Sequence, residues 1–188
     1  MLKKITLLLI FQLITQFAYS QWKGVWGFGV TQNTFKCKDL SINNTLRGGT
    51  IFFEYPNFNG GLVPRFEMNY HLRVSDTLPN TENIKRYSNL KLQFGKILRS
   101  SKRLQIPYNI GLGINFTGGA WNLAGWGVNA KTGIRFYIAR NIALFGEIGW
   151  DGFIDPEVGI RYSSGKTETK SMISTANALN IGLIFTNF

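Results

Sequence analysis

The chain has 188 residues, enough for one domain, with 21 Lys and Arg against 10 Asp and Glu and a formal net charge of +11. Its single cysteine, Cys37, excludes an intramolecular disulfide framework. The basic balance raises nucleic acid as a partner, but the cations are spread over alternating positions and are not gathered on one helix, which argues against it.

Residues 1–20 read as a signal peptide. Lys3 and Lys4 precede the apolar run Ile5–Ile10, and Ala18-Tyr19-Ser20 supplies small residues before Gln21. Gln12, Thr15 and Gln16 interrupt the run, which falls short of the ~20 apolar residues of a spanning helix. Residues 21–188 are then the domain. Without Lys3 and Lys4 it carries 19 basic and 10 acidic residues, a charge of +9. Cys37 lies beyond the signal region, is not placed like a lipoprotein acylation site, and reads as an incidental loop thiol.

The elements follow in order. Strand one is Trp22–Thr31, with Trp22, Trp26, Phe28 and Val30 on one face. Gln32–Arg47 is polar, with Asn43-Asn44 as a turn signal. Strand two, about Gly49–Tyr55, points Ile51, Phe53 and Tyr55 outward and Thr50, Phe52 and Glu54 inward; Pro56–Gly60 is a compact turn. Strand three, Gly61–Val74, alternates Leu62, Pro64, Phe66, Met68, Tyr70 and Leu72 with Val63, Arg65, Glu67, Asn69, His71 and Arg73. Ser75–Arg86 is a polar loop. Strand four, Tyr87–Leu98, sets Leu90, Leu92, Phe94 and Leu98 against Asn89, Lys91, Gln93 and Gly95, and Ser100–Lys102 turns tightly.

Strand five, Leu104–Phe116, has the cleanest period of two: every even position is apolar and every odd one small or polar. It exceeds the ~5–6 residues usual for soluble strands and meets the roughly 9–11 of a tilted membrane-crossing strand. Thr117–Ala124 is a loop. Strand six, about Gly125–Ile138, opposes Trp126, Val128, Ala130, Ile134, Phe136 and Ile138 to Gly127, Asn129, Lys131, Gly133, Arg135 and Tyr137. Ala139–Asn141 turns into strand seven, Ile142–Trp150, where Glu147 faces inward. A long polar segment runs to about Thr175, and the last strand is Asn177–Phe185. Within that segment Glu157–Tyr162 alternates too. It is read as strand seven continuing above the membrane past Pro156, at a bulge or edge, because both chain ends on one side require an even count.

The connections thus alternate long and short, and the short ones share one side. An even number of antiparallel strands with that asymmetry implies an eight-stranded antiparallel up-and-down transmembrane β-barrel, all-β, in the outer membrane of a Gram-negative bacterium. Its expected aromatic girdle is Trp22, Trp26, Tyr55, Tyr70, Tyr108, Trp126 and Trp150. A soluble sandwich also alternates. It needs no outer face this aromatic beside an inner face holding Arg65, Glu67, Lys91, Lys131, Arg135 and Glu147.

With these spans placed, the chain resembles the small eight-stranded outer-membrane barrels, the membrane domain of the OmpA and OmpX type and the PorT-like outer membrane protein beta-barrel group. The segments that carry the resemblance are Ile142–Asp151 (IALFGEIGWD), Asn177–Phe185 (NALNIGLIF) and the terminal Phe188. The resemblance implies outer-membrane lipids and lipopolysaccharide as neighbours and the barrel assembly machinery as a partner during biogenesis. Through the PorT-like group it also raises a secretion or envelope protein partner. Phe188 is out of phase with strand eight's outward residues, which implies a bulge near Thr186-Asn187 or a Phe188 off the lipid face. No peptidoglycan-binding domain is expected beyond the last strand.

An eight-stranded barrel has an interior that side chains fill. The expected lumen network is Glu54, Arg65, Glu67, His71, Arg73, Lys91, Lys131, Arg135 and Glu147, either a salt-bridged plug or a narrow ion path. His71, the only histidine, lacks the His-x-Ser pattern of lipid A deacylases, so the chain is read as non-enzymatic, with a lipid A-modifying enzyme using His71 as base as the alternative. No cofactor or metal site is read. Gly111, Gly113, Gly118 and Gly119 precede no helix and make no phosphate loop. Outer-loop cations Lys36, Lys38, Arg47, Lys85, Arg86, Lys166 and Lys170 would either meet lipopolysaccharide phosphate or only keep the loops solvated, and Trp121 and Phe153 are loop aromatics open to packing or adhesion.

Overall fold

The computed structural model describes residues 24–38, 42–55, 61–73, 84–99, 101, 103–119, 123–161 and 167–186. The signal region, Trp22, Trp121, Lys166 and Phe188 lie outside the described residues, as do the side chains of Arg73 and Lys170.

Eight strands form one closed antiparallel barrel: β1 Val25–Cys37, β2 Ile42–Glu54, β3 Val63–Arg73, β4 Ile84–Arg99, β5 Leu104–Gly119, β6 Ala124–Ala139, β7 Ile142–Arg161 and β8 Thr167–Thr186. Each pairs with its chain neighbours, and β1 closes on β8. Following the register from Trp26 through Phe53, Phe66, Leu92, Leu112, Val128, Gly152 and Thr175 returns to β1 at Lys36, ten residues on. With strands about 4.8 Å apart and about 3.3 Å of rise per residue, this stagger tilts the strands by about 40°. Each residue then climbs about 2.5 Å along the barrel axis.

The alternation read from the sequence is the inside–outside alternation of this wall. Val30, Phe66, Ile110, Leu112, Val128, Ile148 and Ile181 are exposed on the exterior, and Thr50, Arg65, Glu67, Asn89, Lys91, Lys131 and Glu147 are buried inside. A polar group facing lipid costs several kcal/mol unless bonded, on the order of 1–7 by reference state. Thr132, exposed on β6, satisfies its hydroxyl by donating to the Pro107 carbonyl at 3.0 Å.

Several connections are shorter than the sequence suggests. Gln32–Cys37 and Ile42–Arg47 are not loop but the upper ends of β1 and β2. Thr117–Gly119 extends β5, Ile84–Arg86 begins β4, and most of the segment after Trp150 is the paired upper half of β7 and β8. Cys37 is accordingly not a loop thiol; it is buried inside the barrel at the end of β1. The physical reason is that a ladder leaving the membrane no longer needs an apolar exterior, so its outward positions turn polar while the hydrogen bonding continues. Strand seven does run past Pro156, and the register shift between Asp155 and Val158 places Pro156-Glu157 at the irregularity. β7 and β8, 20 residues each, climb about 50 Å, twice the apolar band of about 25 Å that a barrel presents to lipid.

The backbone requires glycine at several positions, of which two bear on the lumen and the β3 entry. Gly61 enters β3 with φ of 71°. A Cβ at Gly48 on β2 would collide with the Tyr70 carbonyl and the His71 backbone on β3.

Candidate functional site

The inward faces of β2, β3, β4, β6 and β7 converge on one ion network in the lower and middle lumen. β3 supplies Arg65 and Glu67 two residues apart on the same face. Arg65 grips Glu147 with both terminal nitrogens, each at 2.7 Å, the fork-to-carboxylate geometry that suits a guanidinium. It also donates to Glu67 at 2.5 Å and Glu54 at 3.2 Å. Its guanidinium carbon stands 3.6 Å from the centre of the Phe52 ring, a cation–π contact. Arg135 from β6 makes a second fork onto Glu54, at 2.7 and 2.5 Å.

Lys131 donates to both oxygens of Glu67, at 2.5 and 2.6 Å. Lys91 sits 2.7 Å from Asp151 and 3.7 Å from Glu67. Asn69 ties Glu67 to Asn89, donating to each at 2.7 Å, and Gln93 donates to Asn129 at 2.6 Å. The four cations Arg65, Lys91, Lys131 and Arg135 thus face the four anions Glu54, Glu67, Glu147 and Asp151, all buried. Buried charges cost several kcal/mol each unless paired and bonded, and here the formal charge sums to zero.

The network lies between two apolar clusters. Toward the chain ends Val25, Phe52, Ala143, Phe145 and Ile184 pack together. Toward the opposite mouth Phe35, Cys37, Leu46, Ile84, Tyr87, Leu123, Phe153, Met172 and Ala176 form a cap. Phe153 is therefore a buried part of this cap, not a loop aromatic open to adhesion, because β7 runs on through it with its side chain inward. Asp151 is a member of the network that sequence reading missed.

His71 is buried under the cap. Thr31, Gly48 and His71 lie in one pairing row, and across the side-chain-free Gly48 the His71 Nε2 meets the Thr31 hydroxyl at 3.1 Å. Its Nδ1 lies 3.3 Å from the Tyr87 carbonyl, and among the described residues no carboxylate is hydrogen-bonded to the ring. Among the described residues no group of three or more His, Cys, Asp and Glu side chains is arranged to hold a metal ion.

On the exterior, Trp26, Tyr55, Tyr70, Tyr108, Trp126 and Trp150 are all exposed. The stagger sets Trp26, Tyr55 and Tyr108 at one edge of the apolar belt and Tyr70, Trp126 and Trp150 roughly 15–20 Å higher.

Three solved structures share this architecture. Neisserial surface protein A matches with a TM-score of 0.64 at 10% identity, over 88% of this chain and 97% of that one. OprG from Pseudomonas aeruginosa matches at 0.59 and 9%, over 87% and 95%. Ail, the attachment invasion locus protein of Yersinia pestis, matches at 0.52 and 12%, over 86% and 97%. The fold is that of the small eight-stranded outer-membrane barrels. No family model matches the chain, and no curated protein matches it. The exterior carries an apolar belt edged by aromatics, as a barrel that crosses a bilayer presents to lipid, and the lumen is filled by its own side chains.

Proposed function

We propose that this protein is a non-enzymatic, non-conducting outer-membrane barrel that stabilises the envelope and meets partners through its exterior. The observation that carries the reading is the charge-neutral network enclosed between two apolar clusters. An ion entering would have to displace the Phe35–Tyr87 layer and then break forked Arg–carboxylate pairs. The same burial supports a structural role for His71, which lipid in the surrounding bilayer cannot reach through the wall.

The exterior chemistry is cationic at the cap end. Lys36, Lys38, Arg47, Lys85 and Arg86 are exposed there, on strands or at their ends, and lipopolysaccharide phosphates are the anions such a rim meets in an outer leaflet. The upper halves of β1–β2 and β7–β8 stand clear of the belt as a rigid ladder available to an envelope or secretion partner. Ail, of the same fold, has been crystallised in complex with the heparin analogue sucrose octasulfate, a polyanion.

Planar-bilayer recording of the purified protein tests the sealed lumen, with no steady conductance above bare lipid as the expected result. Discrete openings would replace this reading with an ion path. Lipid A mass profiles from cells with and without the protein are expected to be identical; an acyl change abolished by His71→Ala would make it an enzyme.

A further inference from the structure

The net charge of this barrel is distributed unevenly along its axis. Of the 19 basic residues within 21–188, four of those whose side chains are described, Arg65, Lys91, Lys131 and Arg135, lie in the lumen and are balanced there. Six fall, by their place in the chain, at the end where the chain termini and short turns lie: Lys23, Lys96, Arg99, Lys102, Arg103 and Arg140. No acidic residue accompanies them, since the nearest carboxylate, Glu54, is buried in the network. The remaining nine, at the cap end, share it with Asp39, Asp76, Glu82, Asp155, Glu157 and Glu168. Two thirds of the charge of +9 thus sits on the end that presents the least surface, the periplasmic end of an outer-membrane barrel.

The structure fixes how three of these cations, Lys96, Arg103 and Arg140, are held. Lys96 faces outward from β4 and pairs with Tyr108, so its ammonium stands on the lipid-facing wall at the level of an edge aromatic. The turn that carries Arg103 is locked by Ser101, whose hydroxyl oxygen accepts from the Arg103 and Leu104 amides at 3.2 and 2.9 Å. The Arg103 carbonyl accepts from the Tyr137 amide at 2.8 Å, which joins that turn to the strand leading into Arg140. All five described carboxylates face inward, so Lys96, Arg103 and Arg140 have no anionic side chain beside them among the described residues.

We infer that this rim is a binding surface for anionic phospholipid headgroups of the inner leaflet. The occupant follows from position as well as charge. A two-residue turn at Arg140 and a four-residue connection at Arg103 cannot carry their cations far from the bilayer, and Lys96 is already on the lipid face. A lysine stem lies along apolar surface while its ammonium reaches the headgroup plane. Each Lys or Arg near an anionic surface adds to the attraction.

The test is native mass spectrometry of the full-length folded protein with equimolar phosphatidylglycerol and phosphatidylethanolamine. The wild type should retain phosphatidylglycerol about fivefold or more over phosphatidylethanolamine, at the scale of one to two cations per headgroup. The Lys96→Gln/Arg103→Gln/Arg140→Gln variant should fall below about twofold while its unboiled gel mobility stays that of a folded barrel. Lys36→Gln/Arg47→Gln/Arg86→Gln, at the other rim, should keep the preference. Equal retention of both lipids by the wild type, or a preference that survives the first variant and disappears in the second, would overturn the inference. Loss of sedimentation with peptidoglycan sacculi in the first variant, with its lipid preference intact, would overturn it in favour of an acidic peptide partner.

Discussion

Glu67 is the position where the lumen network is most open to a quantitative challenge. Its carboxylate accepts two bonds from Lys131, one from Arg65 and one from Asn69, and Lys91 lies 3.7 Å away. Glu67→Gln keeps the shape and one acceptor but leaves four buried cations facing three anions. Hydrogen bonds to charged groups are worth about 1.5–3 kcal/mol each, and the substitution forfeits about two of them. Removing one partner of a buried ion pair costs about 3–5 kcal/mol, so both routes give a loss of about 4 kcal/mol. The assay is urea unfolding in detergent micelles, read from the ratio of folded to unfolded bands on an unboiled gel. Adding Lys131→Met restores neutrality, and the double variant should be less destabilised than the sum of the two singles by about 2 kcal/mol. A cost below about 1 kcal/mol for Glu67→Gln, at the level of ordinary surface changes, would refute the reasoning, because it would mean that the network is hydrated and its charges screened.

Three further outcomes are expected. Ile110→Arg, at a lipid-facing position 68% exposed, should cost about 2–4 kcal/mol of stability in lipid, whereas Gln32→Arg at the upper edge of the belt on β1 should cost about 1 or less, both measured by unfolding in the same vesicles. Gly48→Ala should lower the folded fraction after refolding and cost about 1–3 kcal/mol, since its Cβ has nowhere to go between β2 and β3. Cys37, fully buried within the cap, should resist a maleimide in the folded barrel and react after boiling; rapid labelling of the folded protein would show that the cap is open.

The inner–outer alternation was legible because within the belt it has one phase: outward apolar, inward polar. That is why the sequence yields eight strands, the lumen positions of Glu54, Arg65, Glu67, His71, Lys91, Lys131, Arg135 and Glu147, and the bulge near Pro156. Above the belt the phase inverts. On β1 the apolar positions switch from even (Trp26, Phe28, Val30, outward) to odd (Phe35, Cys37, inward). On β2 they switch from Ile51 and Phe53 to Leu46, and on β8 from Leu179, Ile181 and Leu183 to Met172 and Ala176. A strand whose apolar face changes sides looks in sequence like a strand followed by a loop, so the cap was invisible. Asp151 went unread for the same reason, one residue past the point where strand seven was expected to end. The partner choice within the network was not legible either, because Arg65 and Glu147 are 82 residues apart and meet only through the barrel's stagger.

The central claim, a closed barrel in lipid with alternate residues facing it, is tested most directly by spin-label accessibility along β5. Single cysteines would be placed at each position from Ile106 to Asn115 in a Cys37→Ala background and labelled in reconstituted vesicles. The account predicts high accessibility to oxygen at the even positions Ile106, Tyr108, Ile110, Leu112 and Ile114. Low accessibility is predicted at the odd positions between them, which face the packed lumen. Uniform accessibility, or water-soluble quencher reaching the even positions, would contradict it and return the chain to a soluble sandwich.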